Sequence, residues 1–286
     1  MSSSKDFASV VMLDGVLLDA AGASVPASWP ALMRGEGIFE AFLVSDSQPP
    51  AFLADHDARL CLSARLSGFE IHPGELSTKL KDFLRAIKKG QWRVRCTILR
   101  GENYEQHWMF SAGPEQPSPE SVVLAISDFR LDPLDPMAGA KTISRAMHQR
   151  ARAVANQQGA FEALLLTIDG KVAEGTSTNV FILKGQQLRT PPLNQGILGG
   201  VTRQNVLRAC KVADIDCVEA VVSIDDLKEA DEIYVTNAVI GLTPVTKILQ
   251  IREVLPGLKG SKLIEIQKAY RLYTESITTD DVTPAR

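Results

Sequence analysis

The stretch from residue 128 to residue 140 constrains the fold of this chain most strongly. It contains Asp132-Pro133, Asp135-Pro136 and Gly139. Because proline lacks a backbone donor and clashes with the preceding helical turn, this stretch continues neither a helix nor a central strand. At 286 residues the chain is also long for one compact core. The sequence therefore predicts an N-terminal domain over 1–127, an interdomain linker over 128–140 and a larger C-terminal domain over 141–286.

The part before the linker is predicted to be a small α+β domain. Apolar stripes favour two helices, one containing Leu62, Leu66 and Phe69 after a cap at Asp55, and one running from Leu76 to Ile87. Strands are predicted at 9–13, 37–44, 93–99 and 121–126, with a loop rich in proline and glycine at 112–119.

The part after the linker is predicted to mix both element types. Its helices are expected around 146–158 and from Thr202 onward. Its strands are expected around 161–168 and 178–184 and at 232–236. Because ligands often bind between two domains, the expected binding site is a cleft beside the linker.

Composition favours a globular protein that acts on small molecules. Apolar residues make up 45% and charged residues 23%, and 31 basic against 34 acidic residues give a net charge of −3. This balance excludes the basic surface typical of proteins that bind nucleic acid or acidic membranes. No apolar run approaches the roughly 20 residues that span a bilayer, and the N-terminus lacks a signal core. We expect a cytoplasmic protein without a metal site.

A series of motifs in the second half suggests a cofactor site. Lys141 follows the linker, and Glu174-Gly-Thr-Ser-Thr-Asn179-Val-Phe181 comes later, followed by Thr190-Pro191 and Gly200-Val-Thr-Arg203. Pyridoxal 5'-phosphate chemistry needs an amine, a carboxylate for the pyridine nitrogen and backbone donors for the phosphate. The series resembles the class IV aminotransferase family, the fold-type IV pyridoxal phosphate enzymes.

The resemblance extends from about residue 8 to 250 and is strongest from 141 to 245. It implies an α+β, two-domain fold like that of D-amino-acid aminotransferase, with a small α/β domain and a pseudo-barrel domain. It also implies that pyridoxal 5'-phosphate lies between the domains, that the partner is a small amino substrate, and that the protein is a homodimer.

By this resemblance, Lys141 is the residue that bonds to the cofactor and moves a proton at the α-carbon of the substrate. A lysine taken alone is most often a solvated surface group, and Ser144 departs from the asparagine commoner in the family's lysine segment. Glu174 is implied to hold the pyridine nitrogen protonated. The alternative is that Glu174 is an exposed acid in a turn between two strands.

The phosphate is implied to bind at the start of a helix. Val201 and Thr202 would offer backbone amides there, and the Thr202 hydroxyl would add a donor. Arg59, in His56-Asp-Ala-Arg59-Leu60, matches the family's phosphate arginine, although a surface cation is the plain alternative. The resemblance also assigns further residues to the cofactor's surroundings, namely Ser177, Thr178, Asn237 and Ala238.

Substrate contacts are expected from Phe39, Arg100 and Asn237. Arg100 ends a strand where several relatives bind a substrate carboxylate. Phe39 stands where D-amino-acid transaminases have tyrosine, and Leu43 where other members have lysine or arginine. The substrate contacts must therefore differ from those of the familiar transaminases.

The reaction is suggested by Thr236-Asn237-Ala-Val-Ile-Gly-Leu-Thr-Pro-Val245. This segment is similar to the Asn-Ala/Ser-x-x-Gly of aminodeoxychorismate lyases, whereas in the transaminases it resembles Thr-Gly-Thr-Ala-Ala-Glu or Ser-Thr-Thr-Ser-Glu. The resemblance thus implies elimination of pyruvate from 4-amino-4-deoxychorismate to give 4-aminobenzoate for folate synthesis. The alternatives are a transaminase of D- or branched-chain amino acids, and a cofactor-binding protein without turnover.

Overall fold

The computed structural model describes residues 9–280, which form two compact units. The first unit contains the chain up to Pro117 together with Ala140–Ser144. The second unit contains Ser118–Gly139 and the chain from Arg145 onward.

The first unit consists of an antiparallel sheet and three helices. Its strands lie in the order β2-β1-β5-β4-β3. The elements are β1 (Val10–Leu13), β2 (Val16–Asp19), α1 (Pro30–Arg34), β3 (Gly37–Ser45), α2 (Leu53–Ser67), α3 (Glu75–Ala86), β4 (Gln91–Arg100) and β5 (Gln106–Pro114).

An apolar core joins the helices of this unit to its sheet. The predicted stripe of α3 is buried at Leu76, Leu80 and Phe83, and it belongs to one cluster with Phe42 of β3 and Val94 of β4. Burial of side chains of this size stabilises the unit by about 1.5–3 kcal/mol each. The core thereby holds α2, which carries Arg59, against β3.

Two details of the first unit differ from the sequence prediction. Helix α2 begins at Leu53, so Asp55 lies in its first turn and is not the cap. Strand β5 was not predicted and occupies the start of the expected loop, where it pairs with β1 and β4. Its alternating burial at Trp108, Phe110 and Ala112 was visible in the sequence as a period of two.

The second unit is built on an eight-stranded sheet that is curled into a half-barrel. The strand order is β11-β10-β9-β12-β13-β6-β7-β8. The elements are β6 (Val122–Leu131), α4 (Ala146–Gln157), β7 (Glu162–Thr167), β8 (Val172–Gly175), β9 (Asn179–Lys184), β10 (Gln187–Thr190), α5 (Val201–Val212), β11 (Cys217–Glu219), α6 (Ile224–Glu229), β12 (Glu232–Asn237), β13 (Gly241–Ile248) and α7 (Leu263–Asp280).

The division into units differs from the expected domain boundaries. Strand β6, expected in the N-terminal domain, pairs in parallel with β13 and β7 of the second unit, and it extends to Leu131 inside the expected linker. The segment around Lys141 belongs to the first unit because it bonds to β3. The Phe39 N–H donates to the Lys141 carbonyl at 2.9 Å, and the Ile143 N–H donates to the Gly37 carbonyl at 2.9 Å.

Helix α7 is anchored at its start by a buried carboxylate. Glu232 accepts hydrogen bonds from the Ser261 hydroxyl at 2.9 Å and from the Lys262 N–H at 3.0 Å. The negative charge suits the positive end of a helix. Within residues 9–280, no helix is both long enough and apolar enough to cross a membrane.

Candidate functional site

The backbone of Lys141 is held from two sides within the first unit. Besides the bond from Phe39, the Lys141 N–H donates to the hydroxyl of Ser63 at 3.0 Å. That hydroxyl donates in turn to the carbonyl of Arg59, one turn earlier on α2, at 2.9 Å. Ser63 is fully buried, so water does not compete for these bonds. Lys141 thus has a defined position beside β3 and α2.

The amine of Lys141 lies over an aromatic ring. Its Nζ is 4.6 Å from the ring centre of Phe39, and the Arg95 guanidinium carbon is 3.6 Å from the same centre. Both distances are within the range of cation–π attraction. The structure therefore brings the predicted substrate residue Phe39 to the predicted catalytic lysine. Arg95 was not predicted, although it alternates with buried residues along β4.

Arg59 makes a bidentate ion pair with a buried acid that the sequence analysis did not single out. Its Nε and Nη2 donate to Glu40 at 2.7 and 2.6 Å, and His56 Nδ1 lies 2.8 Å from the same carboxylate. The signal was available, since Glu40 is a lone acid inside the apolar run Gly37-Ile-Phe-Glu-Ala-Phe42.

Burial and charge together set the pKa values of both titrating groups in this cluster. Burial alone would raise the pKa of Glu40, but the charge and hydrogen bonds of Arg59, with that of His56, outweigh burial and lower the pKa to about 2. Burial lowers the pKa of His56, while its bond to Glu40 opposes the shift. At neutral pH the cluster therefore contains an anionic Glu40 and a neutral His56.

Arg100 is buried among backbone carbonyls. Its Nη1 donates to the Tyr104 carbonyl at 3.0 Å and its Nη2 to the Gly68 carbonyl at 2.7 Å. Its guanidinium carbon lies 3.9 Å from the Phe69 ring centre. These contacts join the end of β4 to the end of α2, and the substrate contact expected of Arg100 stays a prediction.

Glu174, at the end of β8 in the second unit, is oriented by two donors. Its Oε2 accepts from Asn179 Nδ2 at 3.0 Å and from the Leu198 N–H at 3.1 Å. Asn179 Nδ2 also donates to the Leu198 carbonyl at 3.0 Å. Asn179, part of the predicted motif, thus links Glu174 to the segment that precedes α5. The carboxylate is buried rather than an exposed acid in a turn.

The loop after Glu174 is held by Glu162, a fully buried acid that was not predicted. Its carboxylate accepts from both the N–H and the hydroxyl of Thr176 and of Ser177. Arg152 donates to the Ser177 hydroxyl at 2.7 Å. The predicted residue Ser177 is therefore engaged with Glu162 and Arg152.

The start of α5 has the features of an anion site. Gly200 is its N-terminal cap residue, and no side chain of the described residues caps it. A Cβ at Gly200 would overlap the Asn179 carboxamide, so a larger residue there would displace the side chain that orients Glu174. The first N–H groups of a helix, including those of Val201 and Thr202, have no partner within the helix and carry its positive end. Burial raises the pKa of Tyr270 on α7, and the neighbouring Thr202 side chain opposes this shift.

Two buried hydroxyls fit a bound ligand. Those of Thr178 and Thr236 have no hydrogen-bond partner among residues 9–280. Thr236 on β12 is paired with Asn179 on β9, the residue after Thr178. Because a buried hydroxyl without a partner costs about 1–3 kcal/mol, these two donors are suited to an acceptor such as a phosphorylated cofactor.

Asn237 closes the turn between β12 and β13. Its Oδ1 accepts from the N–H groups of Val239 at 2.8 Å and Ile240 at 2.9 Å. Its Nδ2 donates to the Ser177 carbonyl at 3.2 Å. Ala238 lies in the same turn and offers no hydroxyl. The carboxamide expected to contact substrate is therefore used to shape this turn.

Comparison with known proteins identifies the family of this chain. The family model of amino-transferase class IV matches residues 37–248, more than half of the chain. A putative branched-chain-amino-acid aminotransferase from Methanocaldococcus jannaschii is 28% identical over 93% of this chain and 99% of its own length. An aminodeoxychorismate lyase from Bacillus subtilis is 29% identical over 77% of this chain and 80% of its own length.

The fold agrees as well. The crystal structure of a branched-chain aminotransferase from Thermoproteus uzoniensis with norvaline has a TM-score of 0.85 and 28% identity, over 94% of this chain and 95% of that one. The expected α+β fold of the fold-type IV enzymes is thereby confirmed. The cofactor that the family implies is pyridoxal 5'-phosphate. The chain belongs to the class IV aminotransferase family and is a pyridoxal phosphate-dependent enzyme.

Proposed function

We propose that this protein is a lyase that converts 4-amino-4-deoxychorismate into 4-aminobenzoate and pyruvate, a reaction that serves folate synthesis. The observation that supports this choice most is the closure of the β12–β13 turn. Asn237 occupies the N–H groups of Val239 and Ile240, so a substrate carboxylate cannot use them. The transaminase pattern Thr-Gly-Thr-Ala-Ala-Glu has glycine at this position, and glycine has no side chain to occupy these donors. The pattern Ser-Thr-Thr-Ser-Glu has threonine there, which lacks a carboxamide.

Each cofactor contact is proposed from the local geometry of its residue. Lys141 would bond to the cofactor carbonyl carbon, and Glu174, already oriented by Asn179 and Leu198, would hold the protonated pyridine nitrogen. The amides of Val201 and Thr202 would bind the phosphate, as would the guanidinium of Arg59. The hydroxyl of Thr178 is a further donor, with Ser177 and Ala238 lining its surroundings.

The chain's own residues would perform the proton transfers. Bound pyridoxal phosphate supplies an acceptor for the electron pair released at the substrate carbon that carries the amine. Lys141 takes the proton from that carbon. The bond between the ring carbon and the enolpyruvyl oxygen then breaks, and the ring becomes aromatic. The enolate of pyruvate leaves with the electron pair of that bond and takes up a proton to give pyruvate. Phe39 flanks the lysine amine with an apolar surface that suits a cyclic substrate.

Transamination is the second candidate. It is supported by the names of the relatives from M. jannaschii and T. uzoniensis, which match this chain over nearly its whole length. The residues proposed to bind the cofactor would be the same. The substrate would then be a D-amino or branched-chain amino acid. In either case we propose a homodimer, which light scattering of the purified protein tests directly.

One experiment separates the two reactions. The purified enzyme is incubated with 4-amino-4-deoxychorismate, and separately with D-alanine or L-leucine plus 2-oxoglutarate, with Lys141→Ala as the inactive control. The lyase produces 4-aminobenzoate and pyruvate in equal amounts. Steady formation of a keto acid from the amino donors without any 4-aminobenzoate would instead assign the protein to the transaminases. If neither product forms, the protein binds the cofactor without turnover.

A further inference from the structure

The fully buried carboxylate of Glu40 lies at the centre of a polar cluster in the first unit. It accepts from Arg59 through Nε at 2.7 Å and Nη2 at 2.6 Å. His56 Nδ1 is 2.8 Å from the same carboxylate. Both partners lie on α2, one turn apart, while Glu40 lies on β3. A single acid on the sheet therefore holds two side chains of the helix.

The geometry of this cluster fixes the direction of the Arg59 guanidinium. Nε and Nη2 form one edge of the planar group, and two parallel bonds to one carboxylate hold that edge against Glu40. The His56 ring is fixed as well, since it packs edge-on against Phe42 with a centroid distance of 5.2 Å. An isolated charge at this depth would be strongly unfavourable, so the pairing also determines whether Arg59 can be buried at all.

We propose that Glu40 is a positioning residue for phosphate binding, because it fixes the Arg59 guanidinium in the orientation in which Arg59 binds the cofactor phosphate. This inference rests on the phosphate role proposed for Arg59. An arginine that is already ordered loses less side-chain freedom when the phosphate binds, and pre-organisation of this kind increases affinity. Glu40 itself does not touch the cofactor in this proposal.

A change at Glu40 should weaken the binding of a ligand only when that ligand carries the phosphate group. Glu40→Gln keeps the size of the side chain but removes the charge, and its NH₂ group then faces the donors of Arg59 or His56. The guanidinium loses its fixed direction. Binding of pyridoxal 5'-phosphate should weaken, while binding of pyridoxal, which lacks the phosphate, should not. A purely structural role would weaken both ligands alike.

Asp57 provides the matched control. It is a buried acid on the same helix, and its carboxylate accepts from the N–H groups of Gly74 at 2.6 Å and Leu76 at 3.2 Å, at the start of α3. It contacts neither Glu40 nor Arg59 through these bonds. Asp57→Asn should therefore lower the melting temperature without changing the preference for pyridoxal 5'-phosphate over pyridoxal.

The experiment measures that preference as the dissociation constant of pyridoxal divided by the dissociation constant of pyridoxal 5'-phosphate. The cofactor-free proteins are titrated with pyridoxal 5'-phosphate and with pyridoxal, followed by absorbance and tryptophan fluorescence. We expect Glu40→Gln to reduce this ratio about tenfold, and we expect Arg59→Ala to reduce it as well. A tenfold change is the size expected for the loss of one charge-assisted contact. A melting curve without cofactor reports stability separately.

The outcomes distinguish this inference from the proposed function. If Arg59→Ala reduces the ratio but folded Glu40→Gln keeps the wild-type ratio, the positioning role is overturned while the role of Arg59 stands. If Arg59→Ala leaves the ratio unchanged, the phosphate role of Arg59 is wrong and this inference falls with it. If circular dichroism shows that Glu40→Gln does not fold, the same ratio is measured for Glu40→Asp. That variant keeps the charge but shortens the reach, so an unchanged ratio in it also overturns the proposal.

Discussion

The hydroxyl of Ser63 accepts a hydrogen bond from the Lys141 N–H at 3.0 Å. The same hydroxyl donates to the carbonyl of Arg59 at 2.9 Å. Helix α2 therefore carries the arginine proposed to bind phosphate and also holds the backbone of the lysine proposed to bond to the cofactor. The two residues are 82 positions apart in the sequence, and one buried hydroxyl connects them.

Ser63→Ala should destabilise the protein by about 1–3 kcal/mol, because it leaves the half-buried Lys141 N–H without its hydroxyl partner. Hydrogen exchange at the Lys141 amide should become faster, which mass spectrometry of the peptide spanning 139–144 measures. Ser67→Ala is the control on the same helix, since the buried hydroxyl of Ser67 has no partner among residues 9–280. Equal effects of the two changes would contradict a specific role for Ser63.

Lys141→Ala should abolish the covalent bond to the cofactor, and the purified protein should lose its yellow absorbance. Lys184→Ala is the control, because Lys184 is paired with Asp226 and Glu229 and should leave the absorbance intact. Borohydride reduction followed by peptide mapping identifies the modified lysine directly. A pyridoxyl group on Lys184 or Lys171 would show that the site has been assigned to the wrong lysine.

Glu174→Gln should retain the fold and bind the cofactor but lower kcat at least about a hundredfold, the scale of one strong electrostatic contact in a buried site. A neutral amide does not stabilise a protonated pyridine nitrogen. The amide oxygen can still accept from Asn179 and Leu198, so the loop should keep its shape. Single-turnover kinetics at saturating cofactor test this, and a rate near that of the wild type would rule out the assigned role.

Asn237→Ala should lower stability by about 1–3 kcal/mol, because the N–H groups of Val239 and Ile240 lose their acceptor. If the closed turn is what favours the lyase reaction, 4-aminobenzoate formation should fall as well. Asn237→Asp is the matched variant, since its carboxylate can accept from both N–H groups, and it should restore the turn. Unchanged lyase turnover in folded Asn237→Ala would remove the main support for the lyase proposal.

The free energy of unfolding should fall as the pH drops below about 6.5. The unfolded chain protonates His56 near its usual pKa, whereas burial keeps the pKa of the folded state lower, so the unfolded state binds more protons. The charges of Arg59 and Lys141 act in the same direction as burial, while Glu40 opposes them. His56→Asn retains a donor for Glu40 but does not titrate. Melting temperatures between pH 5 and 7.5 should therefore depend less on pH in that variant, and equal slopes would contradict this assignment.

A second acid-sensitive step should follow from Glu40. Its pKa is lowered from 4.5 to about 2 in the folded protein, so its contribution to stability is complete above pH 4.5 and is lost as the pH falls toward 2. The Glu40→Gln variant should not show this step in acid titrations followed by circular dichroism.

Much of the secondary structure and the family could be predicted from the sequence because these features depend on local patterns. The stripe from Leu76 to Phe83 has the helical period, and Glu174 and Gly200 occur in motifs whose spacing identifies the family. Strand β5 was not predicted because Gly113 and Pro114, at its end, are typical of a loop. The two units differ from the expected domain boundaries because the partners of β6 lie far away in the sequence.

The sequence by itself determined the fold class and the family, and it predicted site roles for Lys141, Glu174 and the glycine that precedes α5. Only the tertiary structure decided what their neighbours do. It showed Arg100 bound to backbone carbonyls, Asn237 closing a turn, and two unpredicted acids, Glu40 and Glu162, at the centres of buried networks. The physical reason is that a buried carboxylate is stable only when hydrogen-bond donors or cations surround it. Those donors come from other elements, so their identity depends on packing and not on local sequence.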